Sequence, residues 1–348
     1  MNMRRLLLPL LLFGSALAKA DEIDDMVREE MKASHTPGVA LAVIKDGKIV
    51  RVGAYGVSNV ETGTPVKPET VFRVASMSKQ FCSAATLLLV QDGKWRLDDP
   101  ISKFLSKAPE AWSKITIRHL LTHTSGMPTL GDADGFTFRT NPSPDDYIEM
   151  LAKKPLASAP GEKYAYSNEG YSLLGLLVGK VSEKPLNEFV EERLFKPVGM
   201  SSTGYYKLEN LVPNRANGYL WEKDRYVNVI PLRPYVMAGS GGIHSNVLDW
   251  AKWDAALRTD SPLTQALKSQ AWTPGKLSDG KSTNYGFGWV VSQRDGKKVL
   301  SHSGETAGFN SYFVRHMESG LSVVVLENIQ NGRAVKLANQ IAEWYLKK

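Results

Sequence analysis

Val39-Ala40-Leu41-Ala42-Val43-Ile44-Lys45-Asp46-Gly47-Lys48-Ile49-Val50-Arg51-Val52 holds two apolar runs with a turn between them. Short runs rich in β-branched residues read as strands. Asp46-Gly47 supplies the backbone freedom that a tight hairpin loop needs, so the whole stretch reads as a β-hairpin.

The same pattern returns near the other end of the chain. Tyr285 to Ser292 and Lys298 to Ser301 flank Arg294-Asp295-Gly296, and Phe309 to Arg315 and Leu321 to Leu326 flank Glu318-Ser319-Gly320. Each pair reads as a hairpin. Asp21 to Lys32 reads as an amphipathic helix, with Ile23, Met26, Val27 and Met31 at helical spacing. A second helix runs from about Ser76 to Gln91 and closes at Gly93, and a terminal one spans Arg333 to Leu346. From Ile115 to about Leu257 the pattern is mostly helical, with proline-containing loops such as Ser143-Pro144 and Pro160-Gly161. Strands at both ends with helices between them predict an α+β fold, an α/β sandwich around one antiparallel sheet. Residues 21–110 and 245–348 build the sheet and its flanking helices, residues 111–244 form a mostly helical insert, and the site lies between them.

The 348 residues are 43% hydrophobic and 23% charged, the balance of a packed globular enzyme. Residues 1–20 differ. Arg4 and Arg5 precede an apolar core from Leu6 to Leu17, followed by small-x-small patterns at Ala16-Leu17-Ala18 and Ala18-Lys19-Ala20. That core is shorter than the roughly 20 residues of a membrane span. It predicts a signal peptide, a mature chain from near Asp21, export to the periplasm or the medium, and no stable membrane anchor after cleavage. The single cysteine, Cys82, sits beside Phe81 in an apolar stretch, so a buried inert thiol is expected and no intrachain disulfide can form. The net charge of +7 is scattered among acids, which excludes a nucleic-acid footprint.

Three short motifs carry chemistry. Ser76-Met77-Ser78-Lys79 opens the second helix, where positions i and i+3 share a face, so hydroxyl and amine point into one cleft. A serine hydroxyl becomes a nucleophile when a neighbouring base takes its proton, and a desolvated lysine is such a base. Tyr166-Ser167-Asn168 lies in a turn; its phenol can act as acid or base, and Asn168 offers a donor and an acceptor to a substrate amide. His302-Ser303-Gly304 ends the strand begun at Lys298, and Gly304 is expected to let a substrate backbone approach the strand edge. The N–H of Glu305 just beyond can join that of Ser76 as an oxyanion hole.

In type and order these motifs resemble those of the class C β-lactamase and low-molecular-mass penicillin-binding protein family. Ile117-Arg118-His119-Leu120-Leu121-Thr122-His123-Thr124-Ser125-Gly126-Met127-Pro128 and Ala238-Gly239-Ser240-Gly241-Gly242 extend the resemblance over essentially the whole mature chain. It implies a β-lactamase/transpeptidase-like fold and a serine hydrolase that uses no metal or other cofactor. It places the acylated nucleophile at Ser76, the proton handlers at Lys79 and Tyr166, and the substrate and oxyanion contacts at Asn168, His302, Gly304 and Glu305. Which of Lys79 and Tyr166 is the base stays open.

The third motif departs from the Lys-Thr-Gly of the β-lactamases, with His302 in place of the lysine. The Tyr-Ser-Asn and His-x-Gly pair is more similar to D-alanyl-D-alanine carboxypeptidases, D-aminopeptidases and related esterases. The implied substrate is a D-alanyl or D-amino-acid peptide or a short ester. A true β-lactamase, and a penicillin-binding or muropeptide-sensing protein with negligible turnover, are the alternatives. Turnover of a carboxylate-bearing substrate is expected to weaken as His302 loses its proton, since an ordinary histidine titrates near 6.5.

Other readings carry less. His119 and His123 are four apart on an expected helix, but Leu120 stands where a zinc protease has its glutamate, and no third ligand follows; both are read as structural. No Gly-x-Ser-x-Gly elbow and no glycine-rich phosphate loop occurs. Trp250 and Trp253 read as core, whereas Trp221, near Tyr219 and Tyr226, either packs or lines a cleft.

Overall fold

The computed structural model describes residues 22–348 except 107, 138–139, 208 and 231–235, so the expected signal peptide lies outside the described residues. In chain order the strands are β1 (Gly38–Lys45), β2 (Lys48–Asn59), β3 (Thr64–Pro65), β4 (Phe72–Arg73), β5 (Gly204–Tyr205), β6 (Tyr219–Glu222), β7 (Arg225–Asn228), β8 (Ile243–Ser245), β9 (Val290–Arg294), β10 (Lys297–Thr306), β11 (Phe309–His316) and β12 (Leu321–Glu327). The longer helices are α1 (Glu22–Ser34), α2 (Lys79–Gln91), α3 (Pro144–Ala152), α4 (Asn168–Ser182), α5 (Val247–Ala256) and α6 (Ala334–Leu346). The fold is α+β. Among the described residues no helix is long and apolar enough to cross a membrane.

Seven strands form one antiparallel sheet in the order β3-β2-β1-β12-β11-β10-β9. Its centre joins the two ends of the chain: Val39 pairs with Glu327 and Ile44 with Ser322. Asp46 and Gly47 (φ 50° and 78°) and Asp295 and Gly296 (φ 51° and 74°) take the left-handed turn conformations that tight hairpins require. The alternation along β1 buries both faces. Val39, Leu41 and Val43 pack with Ile23 and Val27 of α1 and Leu337 and Ile341 of α6. Ala40, Ala42 and Ile44 face the larger core that holds Phe81, Trp250 and Trp253. Asp254 of α5, fully buried, accepts from Arg315 Nε (2.8 Å) and Ser322 Oγ (2.6 Å) and so fastens that helix to β11 and β12.

Two expectations need correction. The strand expected from Tyr285 begins only at Val290. Gly288 has φ 77°, and a β-carbon there would meet the Lys79 carbonyl oxygen at 2.8 Å, so this stretch bends against α2 rather than pairing. The middle region is also less helical than its pattern suggests, because it contributes β5 and β8 to a small sheet β4-β8-β5 and carries the β6–β7 hairpin. That hairpin turns on Lys223 and Asp224 (φ 50° and 58°), a left-handed pair without glycine and hence without the usual turn signature. Trp221 lies in it, stacked on His35 at 4.1 Å, and packs.

Candidate active site

β4 runs into a tight 3-10 turn, Ala75–Ser78, from which α2 departs. Ala75 has φ 48°, a left-handed conformation that costs a non-glycine residue about 1–3 kcal/mol. Ser78 holds the turn in place: its Oγ donates to the Ala75 carbonyl (2.6 Å) and accepts from the Ile243 N–H (3.1 Å). From Val71 to Leu89 only Ser76 is not buried. The strained turn therefore presents one hydroxyl to solvent. Ser76 sits in this turn and not in the first turn of the α-helix itself, but it still shares a face with Lys79.

Lys79 is fully buried. Its Nζ lies 2.7 Å from the Ser240 carbonyl oxygen, 2.8 Å from Asn168 Oδ1 and 3.3 Å from Ser76 Oγ. The Tyr166 ring lies 4.7 Å away. Burial pulls the amine down to about 7, against weaker opposing pulls from Cys82 and Glu169. Cys82 itself is buried, and burial pushes its thiol up to about 12, so it is inert.

Asn168 is the first residue of α4, set by its N-cap: the Gly170 N–H donates to Ser167 Oγ at 3.0 Å. Behind this turn lies His123. The short helix Ile117–Leu121 has ended before it, and His123 adopts φ 57°, so it shares no helical face with His119. Its Nδ1 accepts from the Ser167 N–H at 3.0 Å and its ring lies 4.3 Å from that of Tyr166. Tyr166 is 44% exposed as a residue, yet its hydroxyl is desolvated in the neighbourhood of Ser76, and this burial raises its pKa above the usual phenol range.

β9 covers β10 only as far as Ser301, leaving residues 302–306 as a free edge beside the cleft. Two readings of this motif change. A β-carbon on Gly304 would lie 2.1 Å from the Val74 carbonyl oxygen, so the glycine makes room for the protein's own turn rather than for a substrate backbone. His302 is only 3% exposed. Its Nδ1 lies 2.6 Å from the Ser303 carbonyl, which can only accept, so Nδ1–H donates and Nε2 accepts the Tyr285 hydroxyl at 2.8 Å. Burial, helped by the charge of Lys79, lowers His302 to about 3. It is neutral throughout the working range and has no proton to lose there. Glu305, by contrast, is exposed on the cleft wall.

Ser76, Asn168, Ser240, Gly241, Glu305 and Thr306 line a cleft of about 370 Å³. Ser240, His123 and Tyr285 are site components that the motifs did not single out. Ser240 acts through a main-chain oxygen, which leaves no side-chain signature. Among the described residues no group of three or more His, Cys, Asp or Glu is placed to hold a metal ion.

A family model described as Beta-lactamase matches residues 23–344. The chain belongs to the β-lactamase family. Members of the β-lactamase family are serine hydrolases, and the relatives found are similar over most of this chain. Penicillin-binding protein 4* of Bacillus subtilis is 31% identical over 312 residues, covering 84% of this chain and 68% of its own. The putative penicillin-binding protein PbpX of the same organism is 30% identical over 85% of this chain and 72% of its own. Among solved structures, the octameric penicillin-binding protein homologue from Pyrococcus abyssi superposes with a TM-score of 0.82 at 30% identity, over 94% of this chain and 77% of that one. The β-lactamase/D-alanine carboxypeptidase from Pseudomonas syringae shares the fold, with a TM-score of 0.78 at 23% identity over 92% of this chain and 97% of that one.

Proposed function

We propose that this β-lactamase-family serine hydrolase works through an acyl-enzyme on Ser76, with Lys79 as the base and Tyr166 as the acid that serves the leaving group. One observation carries the division of labour. The Ser240 and Asn168 oxygens accept two N–H bonds from Lys79 at 2.7 and 2.8 Å. An uncharged amine has two such hydrogens and one lone pair, and the remaining neighbour is the Ser76 hydroxyl. With its pKa near 7, a large fraction of Lys79 is uncharged at neutral pH. Tyr166, raised by burial, keeps its proton and is poised to donate it.

In the proposed cycle Ser76 Oγ attacks the substrate carbonyl as its proton passes to Lys79. The N–H groups of Ser76 and Glu305 hold the oxyanion. The scissile bond breaks as the leaving amine or alcohol takes the Tyr166 proton, which Lys79 then replaces. Water, giving its proton to the same pair, releases the acid and restores the Ser76 hydroxyl.

The substrate reading is a D-alanyl or D-amino-acid peptide or a short ester. A neutral, buried His302 supports it, because this end of the cleft lacks the exposed ammonium that the Lys-Thr-Gly motif supplies. Intact-protein mass spectrometry after a pulse of p-nitrophenyl ester or benzylpenicillin tests the acyl-enzyme. An adduct absent from Ser76→Ala, with ester turnover lost in the same variant, is expected. Turnover retained by Ser76→Ala overturns the reading.

A further inference from the structure

Arg73 lies on β4, three residues before Ser76, and is only 7% exposed. Its guanidinium rests over the Tyr206 ring at 4.5 Å. Nε is buried without a hydrogen-bond partner, and among the described residues Arg73 forms no ion pair. Guanidinium stays charged in proteins, and a buried charge without a counter-ion is strongly destabilising. A group retained under that handicap is well suited to receive a charge from outside.

Arg73 and Ala307 line both the Ser76 cleft and a second cavity of about 340 Å³. Arg215 and His244 also line that cavity, and both guanidinium charges act on His244, which burial and these charges lower to about 4. Arg215 is exposed, and it too forms no ion pair among the described residues. The cavity's one carboxylate, Glu61, is taken by neutral donors: Asn228 Nδ2 at 2.6 Å, Tyr219 Oη at 3.2 Å and Asn217 Nδ2 at 3.4 Å. Neither guanidinium is paired with it, and two positive charges against one carboxylate leave the cavity net positive.

The position of this cavity assigns it to one half of a substrate. The Tyr166 ring lies 6.2 Å from that of His302, near the start of the free edge of β10. Four residues of extended strand, roughly 13 Å, separate His302 from Thr306, beside which the second cavity opens. A leaving group that takes its proton from Tyr166 lies at the first end, so the acyl half points toward the second.

We propose that Arg73 and Arg215 form an acyl-side anion subsite, so that the preferred substrates carry a carboxylate on the acyl portion. The proposal rests on the acyl-enzyme reading above.

It is tested with paired p-nitrophenyl esters whose acyl chains end in a free carboxylate (succinyl, glutaryl, adipyl) or in its methyl ester. The readout is the ratio of kcat/KM for the anionic to the neutral partner, which divides out any general loss of activity. The intact enzyme is expected to favour at least one anionic ester by about 10-fold or more, as a charge-assisted hydrogen bond allows. Arg73→Met is expected to bring the ratio close to 1, and Arg73→Lys to restore part of it. Arg215→Gln, at an exposed position that tolerates change, is expected to lower the ratio about 3-fold or more even if Arg73→Met does not fold. A wild-type ratio at or below 1 for every chain length, or one unchanged in the foldable Arg73 and Arg215 variants, overturns the subsite. Loss of the acyl-enzyme reading shows differently, as neutral-ester turnover that survives Ser76→Ala.

Discussion

The Tyr285 hydroxyl donates to Nε2 of His302 across 2.8 Å, and the bond closes His302 off from the cleft. Both ring nitrogens are then committed, and the imidazole is a neutral buttress behind Tyr166. The pH–rate profile is therefore expected to show no limb from His302 between pH 5 and 8. His302→Lys would place a second buried ammonium close to Lys79 with no carboxylate partner. We expect it to destabilise the fold by about 3 kcal/mol and to lower kcat/KM for all substrates, as read by thermal melting and steady-state kinetics. A stable variant with improved turnover of carboxylate-bearing substrates would contradict this placement.

Lys79 sets the limb that does appear. A base works deprotonated, so kcat/KM is expected to fall as pH drops below about 7 and to level off above it. Lys79→Arg keeps the charge but cannot shed it, and should lose about 10³-fold or more in kcat/KM at every pH while still folding. Retention of activity in the arginine variant would move the base elsewhere.

Gly304 ties the edge strand to the nucleophile's turn. Any β-carbon there meets the Val74 carbonyl oxygen at 2.1 Å and Ser311 Oγ at 2.5 Å. Gly304→Ala is expected to cost about 1–3 kcal/mol and to displace β10 from the cleft wall. Activity should fall about 100-fold, chiefly in kcat, because a misplaced wall spoils transition-state contacts more than binding. A crystal structure of the variant checks the displacement directly.

Glu327, at the end of β12, is buried with one carboxylate oxygen unpartnered, and burial raises its pKa to about 8. The folded protein then holds a proton that the unfolded chain releases near 4.5. Stability from this group is full below pH 4.5 and is lost as pH rises toward 8. Glu327→Gln removes the titration, so its melting temperature relative to wild type should climb between pH 4.5 and 8. A constant difference over that interval would refute the assignment.

The hairpins were legible because their turns need left-handed backbone, and Asp-Gly advertises it at Asp46-Gly47 and Asp295-Gly296. Where the turn is Lys223-Asp224, the same geometry carries no such signature and the hairpin stayed hidden. In the site, Ser76, Lys79 and Asn168 declared themselves through side-chain chemistry. The Ser240 carbonyl had none to show, and the isolation of Arg73 is visible only once distant segments are packed around it. Gly304 was legible as a close approach, but not as an approach by the chain itself.

The pairing of β1 with β12 has a consequence for biogenesis. Until the ribosome has delivered nearly all of the described chain, the first hairpin has no neighbour on its inner side. An apolar strand edge waits through most of translation, and the β10 wall of the site, with His302 and Glu305, cannot form before the late strands arrive. Such a chain stays inactive and open while it is being made. Its dependence on non-local pairing also predisposes it to slow maturation and to clumping when synthesis is fast.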